Sequence, residues 1–346
     1  MLVRSIFLRR NTCKAYLFKA NTIRKILSKA HKTFLGYFSK CILLGHNSVL
    51  NLCRLIKQNK TVMLTLLIPT DFSDAAADAS KFAIKLADQH RMNLVFFHEY
   101  HASRPPAMSG KEQKKLHDNT KEAHSERLVT HVKSLFIELN KEYRNDRVEF
   151  CLAESFNLTE TVLEAASKYS ADLIVTGTTG ANSLGKKLFG SNTANLIAQS
   201  RVPILSVPAG FTADKLNYLA FATTLTHVGS ELIRVMDIVK MLQAKIDLFF
   251  VYPNFPEHID VSKLNPHILE KGWQEKFQHP HIKLYFIKTD GANESREGIQ
   301  EFVRLYQPDA LLMFTRERSL FDKIFNSSLT SDMASYLKLP ILSFKD

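Results

Sequence analysis

The sequence predicts an α/β protein made of two tandem units, each an open, twisted, five-stranded parallel sheet covered by helices. Three observations predict it. From Met63 onward, short apolar runs alternate with segments of helical apolar period, as in strands joined by crossover helices. The alternation runs twice and ends on nearly the same residues, Val202-Pro-Ile-Leu-Ser206 and Leu339-Pro-Ile-Leu-Ser343. That recurrence marks an internal duplication, with its boundary near Gly210 to Lys215. Between the fourth apolar run of the first unit and the next helical segment lie Gly177-Thr-Thr-Gly180, nine further residues, and Gly190-Ser191.

In the first unit Leu64 to Ile68 is a strand ending at Pro69-Thr70-Asp71, and Ser73 or Asp74 can cap a helix with the stripe Ala75, Ala79, Phe82, Ala83 and Leu86. Asn93 to His98 is the second strand. A long charged helix follows from about Lys111 to Asn140, with Leu116, Ala123, Leu128, Val132, Leu135 and Leu139 facing inward. Val148 to Leu152 is the third strand, and Asn157-Leu-Thr-Glu160 reads as a capping box for a helix carrying Val162, Ala165, Ala166 and Tyr169. Asp172 to Thr176 is the fourth strand. A helix over Ser191 to Ser200 and a strand over Pro203 to Val207 complete the unit.

The second unit repeats the order. Its strands are Asn217 to Ala222, Ile246 to Val251, His281 to Ile287, Ala310 to Phe314 and Pro340 to Phe344. Its helices are Gly229 to Ala244, a segment around Ser262 to Gln278, Glu297 to Tyr306 and Ser327 to Leu337.

The chain of 346 residues is 45% apolar, enough for two domains with buried cores. Its net charge of +12 is confined to one place. Residues 1–62 hold thirteen Lys or Arg and no acid, which leaves 33 basic and 34 acidic residues, a net of −1, in the remainder. A nucleic-acid function argued from overall charge would therefore rest on the wrong segment. Three of the four cysteines, Cys13, Cys41 and Cys53, share this leader, and only Cys151 lies in the body, which suits a reducing compartment. Residues 1–62 form a basic leader outside the fold. It reads as a targeting segment, as a basic surface or nucleic-acid arm, or as sequence ahead of a true start at Met63. The last is favoured, because the pattern begins cleanly there. The longest uncharged leader run, Cys41 to Cys53, is too short to span a bilayer.

A strand, a glycine-spaced loop and a helix start in that order suggest a phosphate site. Glycines permit positive φ and close approach, and a helix N-terminus favours an anion. The plain alternative is a structural strand-to-helix loop.

With these residues in view, the sequence from 63 to 346 resembles the universal stress protein family in its two-repeat form. Gly177-x2-Gly180-x9-Gly190-Ser191 matches the family's nucleotide-binding pattern in full, and Ala171 to Gly177 and Val202 to Val207 are similar as well. The resemblance implies an adenine nucleotide alpha hydrolase-like fold with strand order 3-2-1-4-5. Residues 63–210 would form a domain with the nucleotide site, and residues 211–346 a degenerate second domain. It also implies ATP as the bound cofactor, with a divalent cation as an option. Asp71 would accept a hydrogen bond from the adenine or ribose side, and Val95 or a neighbour on strand two would pack on the base. The amides of Gly177, Gly180, Gly190 and Ser191 would hold the phosphates, with the Ser191 hydroxyl as an added donor. The simpler role for Asp71 is a helix-capping acid, and for Ser191 an N-cap.

In the second unit Ala222-Thr223-Thr224 replaces Pro69-Thr70-Asp71, and the loop Thr315-Arg316-Glu317-Arg318-Ser319 runs to Asn326-Ser327 without a glycine. That half reads as a non-binding partner fold. The family commonly dimerises through its last strand, so the two repeats would form an intramolecular pseudo-dimer that pairs Pro203–Val207 with Pro340–Phe344.

Other chemistry finds no purchase. His117, His124 and His131 recur every seven residues on the long helix, about 10 Å apart, too far to share a metal. His98-Glu99 stands as a separate local cluster. No GxxxxGK[ST], G-x-S-x-G or HExxH sequence occurs, no metal site is expected, and no residue presents itself as a general base. The expectation is a cytoplasmic, ATP-binding stress-response or regulatory protein with an unidentified protein partner and no nucleic-acid or membrane role. The alternatives are a slow ATP hydrolase or nucleotide-transfer enzyme at the same site, and an interaction module that binds no nucleotide.

Overall fold

The computed structural model describes residues 63–103, 105, 108–178, 191–253, 264–289, 294–315 and 339–345. The leader and the expected helix Ser327 to Leu337 lie outside the described residues.

In the first half the strands are β1 (Thr65–Pro69), β2 (Asn93–Tyr100), β3 (Val148–Glu154), β4 (Leu173–Thr178) and β5 (Ile204–Pro208). The intervening helices are α1 (Asp74–His90), α2 (Gly110–Glu138), α3 (Leu158–Lys168) and α4 (Ser191–Gln199). The second half supplies β6 (Tyr218–Ala222), α5 (Val228–Leu242), β7 (Lys245–Pro253), α6 (Pro266–Phe277), β8 (Ile282–Thr289), α7 (Glu294–Tyr306), β9 (Ala310–Phe314) and β10 (Ile341–Phe344).

All ten strands lie in one sheet of order β3-β2-β1-β4-β5-β10-β9-β6-β7-β8. Each half therefore has order 3-2-1-4-5, with every pairing inside a half parallel. The halves join edge to edge through β5 and β10, which pair antiparallel with Leu205 opposite Leu342. That junction covers two strand edges that would otherwise be open to other chains.

Strand side chains alternate between two cores. Leu66, Ile68, Leu94 and Phe96 join Phe82 of α1 and Leu128, Val132 and Leu135 of α2 on one face. Leu67, Val95 and Phe97 join Val162 of α3 and Leu196 and Ile197 of α4 on the other. Both faces of the parallel sheet are thus covered, and its strands read as near-continuous apolar runs.

The helix ends follow local chemistry. The Ser73 hydroxyl accepts from Ala76 N–H at 3.3 Å and starts α1. Ser109 and Glu112 form a reciprocal capping box for α2, which sequence reading had passed over. The box expected at Asn157 is only half made. Asn157 Oδ1 accepts from Glu160 N–H, but Glu160 reaches the Asn157 side-chain amide, because the Asn157 N–H already donates to Ser155 Oγ. Along α2 the expected inner face is also shortened. Ala123 is exposed and Leu116 half-buried, since the first half of this 29-residue helix runs past the apolar part of the sheet.

Matching turns recur in the two halves. Thr70 Oγ1 accepts from Phe72 N–H and Thr223 Oγ1 from Leu225 N–H, each at 3.1 Å, and Phe72 and Leu225 both adopt left-handed backbone, φ 65° and 66°. Asp172 accepts from the N–H of Thr65, and Asp309 from those of Asn217 and Tyr218.

Candidate functional site

The strand order reverses at the β1/β4 pair, so the loops leaving these strands diverge and open a crevice at the carboxyl edge of the sheet. Leu67 pairs with Ile174, and the same register carried forward sets Thr70 level with Gly177.

Asp71 is exposed at this edge, and its Oδ1 accepts from Ser73 N–H at 2.9 Å. The helix cap itself belongs to Ser73, so Asp71 shapes the turn rather than capping α1. The turn is held from below. Thr70 N–H donates to Phe97 O at 2.8 Å, and the Phe72 ring packs on His98, on His131 and under the Arg127 guanidinium, with centroid distances of 4.4, 5.2 and 4.1 Å. These contacts support the left-handed backbone of Phe72, which is uncommon for a bulky residue.

Gly177 faces the first turn of α1. A Cβ there would overlap the Ala75 carbonyl oxygen and stand 2.5 Å from its carbon and 3.0 Å from Ala76 N, so only glycine fits. Its own carbonyl accepts from Thr193 Oγ1 at 3.3 Å. Gly177 thereby brings the end of β4, the start of α1 and the start of α4 together. That is a close-packing role. The remaining loop glycines, Gly180 and Gly190, lie outside the described residues, and Ser191 opens α4. The first turn of α4 carries no acidic side chain, whereas those of α1, α2 and α3 carry Asp74, Glu112 and Glu160. An acid-free N-terminus leaves the helix dipole open to an anionic ligand.

Val95 is set back from this edge. It is 1% exposed and pairs with Leu67 in mid-strand, within the core under α3 and α4. Counting by twos along β2, the same face reaches the edge at Glu99, which is half-buried and accepts from Thr161 Oγ1 at 3.5 Å.

The structure also joins two groups that sequence reading held apart. His98 Nε2 and His124 Nδ1 are 2.9 Å apart, and His98 Nδ1 is 2.8 Å from Thr70 O. His117 Nε2 meets Glu154 Oε2 at 2.9 Å. The seven-residue spacing sets these histidines on one side of α2, facing the ends of β2 and β3. Burial, then the Thr70 bond in the opposite sense, then the neighbouring His124 and Arg127 act on His98, with a net pKa below its ordinary value. His131 is lowered by burial and by Arg127 and Lys81. Among the described residues no group of three or more His, Cys, Asp or Glu is placed to hold a metal.

The second half closes the equivalent crevice. Thr224 stands where Asp71 does. The registers Gly177–Val207 and Phe314–Phe344 put Phe314 in the place of Gly177. The Phe314 ring stacks on Phe344 at 5.0 Å and packs against Phe221 at 5.8 Å. The loop of Arg316 to Ser327 lies outside the described residues.

The sequence profile of the universal stress protein family matches residues 63–208. Those residues belong to the universal stress protein family. A universal stress protein of Methanocaldococcus jannaschii is 26% identical over 153 residues, which is 44% of this chain and 86% of that protein. A solved universal stress protein of Archaeoglobus fulgidus is 11% identical, with a TM-score of 0.53, over 81% of this chain and 96% of its own. That likeness of fold reaches beyond the matched universal stress protein domain. A further solved universal stress protein, in complex with cAMP, is 20% identical with a TM-score of 0.30, over 42% of this chain and 98% of its own. No helix among the described residues is long and apolar enough to cross a membrane.

Proposed function

We propose that this universal stress protein binds one adenine nucleotide, ATP, at the β1/β4 edge of residues 63–210, and acts as a nucleotide-dependent stress-response or regulatory protein. The observation that carries the reading is the meeting of Asp71, Gly177 and the acid-free start of α4 at the sheet's reversal point. The exposed Asp71 carboxylate is an acceptor for the ribose or adenine side. The backbone amides of Gly180, Gly190 and Ser191, with the Ser191 hydroxyl, hold the phosphates, and Gly177 keeps the strand close enough to α1 for the two groups to share one ligand. At the base end, on the strand-two face that Val95 shares, the residue nearest the edge is Glu99, with Val95 behind it in the core.

The second half is a partner fold. It retains the Thr223–Leu225 turn but has Thr224 for the acid and Phe314 for the glycine, so it binds none. We read the β5–β10 junction as an intramolecular pseudo-dimer of two repeats. The reading is tested by denaturing the purified chain and identifying the released nucleotide, alongside titration of the nucleotide-free protein with ATP. One equivalent per chain is expected, with none in an Asp71→Ala, Gly190→Asp variant. A folded wild type with no measurable ATP affinity overturns the proposal.

A further inference from the structure

The first eighteen residues of α2, Gly110 to Arg127, contain no buried side chain, and the buried residues of that helix begin at Leu128. At 1.5 Å per residue this is an overhang of about 27 Å. Polar contacts fasten it. Gln113 Nε2 donates to Pro105 O at 3.0 Å, His117 meets Glu154, His124 meets His98, and Arg127 covers Phe72. A segment with few buried apolar contacts belongs to the low-stability end of a fold, so these polar contacts decide whether it stays docked.

The hydrogen bonds fix the tautomers. Thr70 O can only accept, so His98 Nδ1 carries a proton and donates to it. In neutral His98 the Nε2 lone pair then receives the His124 Nδ1–H. One added proton is tolerated, on either ring, because one nitrogen of the facing pair still offers a lone pair. A second proton sets two N–H groups head to head at 2.9 Å with no acceptor between them, and the bond breaks. We propose that the His98–His124 pair is a proton-sensitive latch that docks the α2 overhang on the Thr70–Phe72 turn and so holds Asp71 in place. Its bearing on the nucleotide rests on the reading of Asp71 given above.

The larger of the surrounding charge effects on His98 oppose its protonation. Arg127 lies on the same side and opposes added protons, with Asp71 acting against it more weakly. Tyr100 stacks on His124 at 5.4 Å, Lys81 of α1 acts on the neighbouring His131, and His117 is engaged by Glu154 of β3. With burial dominant, docked His98 resists protonation relative to free imidazole. Docking is therefore complete above about pH 6.5 and weakens as pH falls below it.

The test uses the full chain and a His98→Asn, His124→Phe variant. The asparagine amide can still donate to Thr70 O, and the phenylalanine can still stack on Tyr100. Hydrogen exchange, corrected for intrinsic rates, and affinity for ATP are followed from pH 7.5 to 5.5. In wild type, protection over residues 110–127 is expected to fall about tenfold while α1 is unchanged, and ATP affinity to fall by about fivefold or more. The variant should show neither change, which also removes the titration of ATP itself from the comparison. If the variant does not fold, His98→Asn alone serves the same purpose. Flat protection in wild type, or the same loss in the variant, overturns the latch. Loss of protection with no change in affinity overturns its coupling to the site. A chain that binds no ATP at any pH overturns the nucleotide reading instead, and exchange alone then decides the latch.

Discussion

Phe314 fills in the second half the position that Gly177 leaves bare in the first. The two residues have opposite effects on the same place in the same topology. Glycine lets the strand end touch the backbone of α1, while phenylalanine closes the gap with a ring stacked on Phe344. Gly177→Ala must push α1 away from β4, at an expected cost of about 1–3 kcal/mol. Phe314→Ala empties a packed aromatic site, at an expected cost of about 3–5 kcal/mol, without creating a second nucleotide site. Urea unfolding midpoints and ATP titration check both. A Gly177→Ala protein as stable as wild type would show that the close approach is not required.

Much of the architecture was legible because each local signal agreed with its neighbours. Apolar runs, the Ser73 cap and the twin Pro-Ile-Leu-Ser strands specify the strands themselves, whereas their order, 3-2-1-4-5 in each half of the sheet, was implied only by the family resemblance. The failures lie where a one-dimensional pattern does not encode depth or proximity. Val95 and Glu99 share a face of β2, but only the register with Leu67 shows that Val95 sits mid-strand in the core. His98 and His124 are 26 residues apart and meet only because α2 crosses the end of β2. A helical wheel of α2 set against the edge of β2 would have found that pairing. The loop glycines were legible as a pattern, and of them Gly177 gains a packing explanation as well.

Gln243 ends α5 in left-handed backbone, φ 53°, and is exposed. A residue with a Cβ is strained there by about 1–2 kcal/mol, and glycine is not, though glycine gives back part of the gain through its freer unfolded state. Gln243→Gly is expected to raise stability by about 0.5–1 kcal/mol, read as a higher urea midpoint at unchanged slope. A lower midpoint would mean that the side chain makes a contact worth more than the strain.

His90, His98, His131 and His279 are all held below the ordinary imidazole pKa, with burial the largest cause at each. The unfolded chain therefore binds protons more readily than the folded one. Stability should be fully present above about pH 6.5 and decline as pH falls through the lowered folded values. Denaturation at constant ionic strength between pH 7.5 and 5.5 reads the slope. His131→Phe should flatten it, because the His131 Nε2 is buried without a partner and the ring otherwise packs on Phe72. An acid limb of equal slope in that variant would remove His131 from the account.

Asp71 has two roles that two substitutions separate. Its Oδ1 accepts from Ser73 N–H, a task that an asparagine oxygen can perform equally well. Its charge has no comparable task in the turn, since the helix cap belongs to Ser73. If Asp71 serves only the turn, Asp71→Asn should match wild type in stability and ATP affinity, and Asp71→Ala should lose stability alone. If the carboxylate holds the nucleotide, Asp71→Asn should keep the turn and still bind ATP at least about tenfold more weakly, because a hydrogen bond to a charged group contributes roughly 1.5–3 kcal/mol. The nucleotide reading requires the second outcome: unchanged urea midpoint and weakened titration in Asp71→Asn, with Asp71→Ala impaired in both.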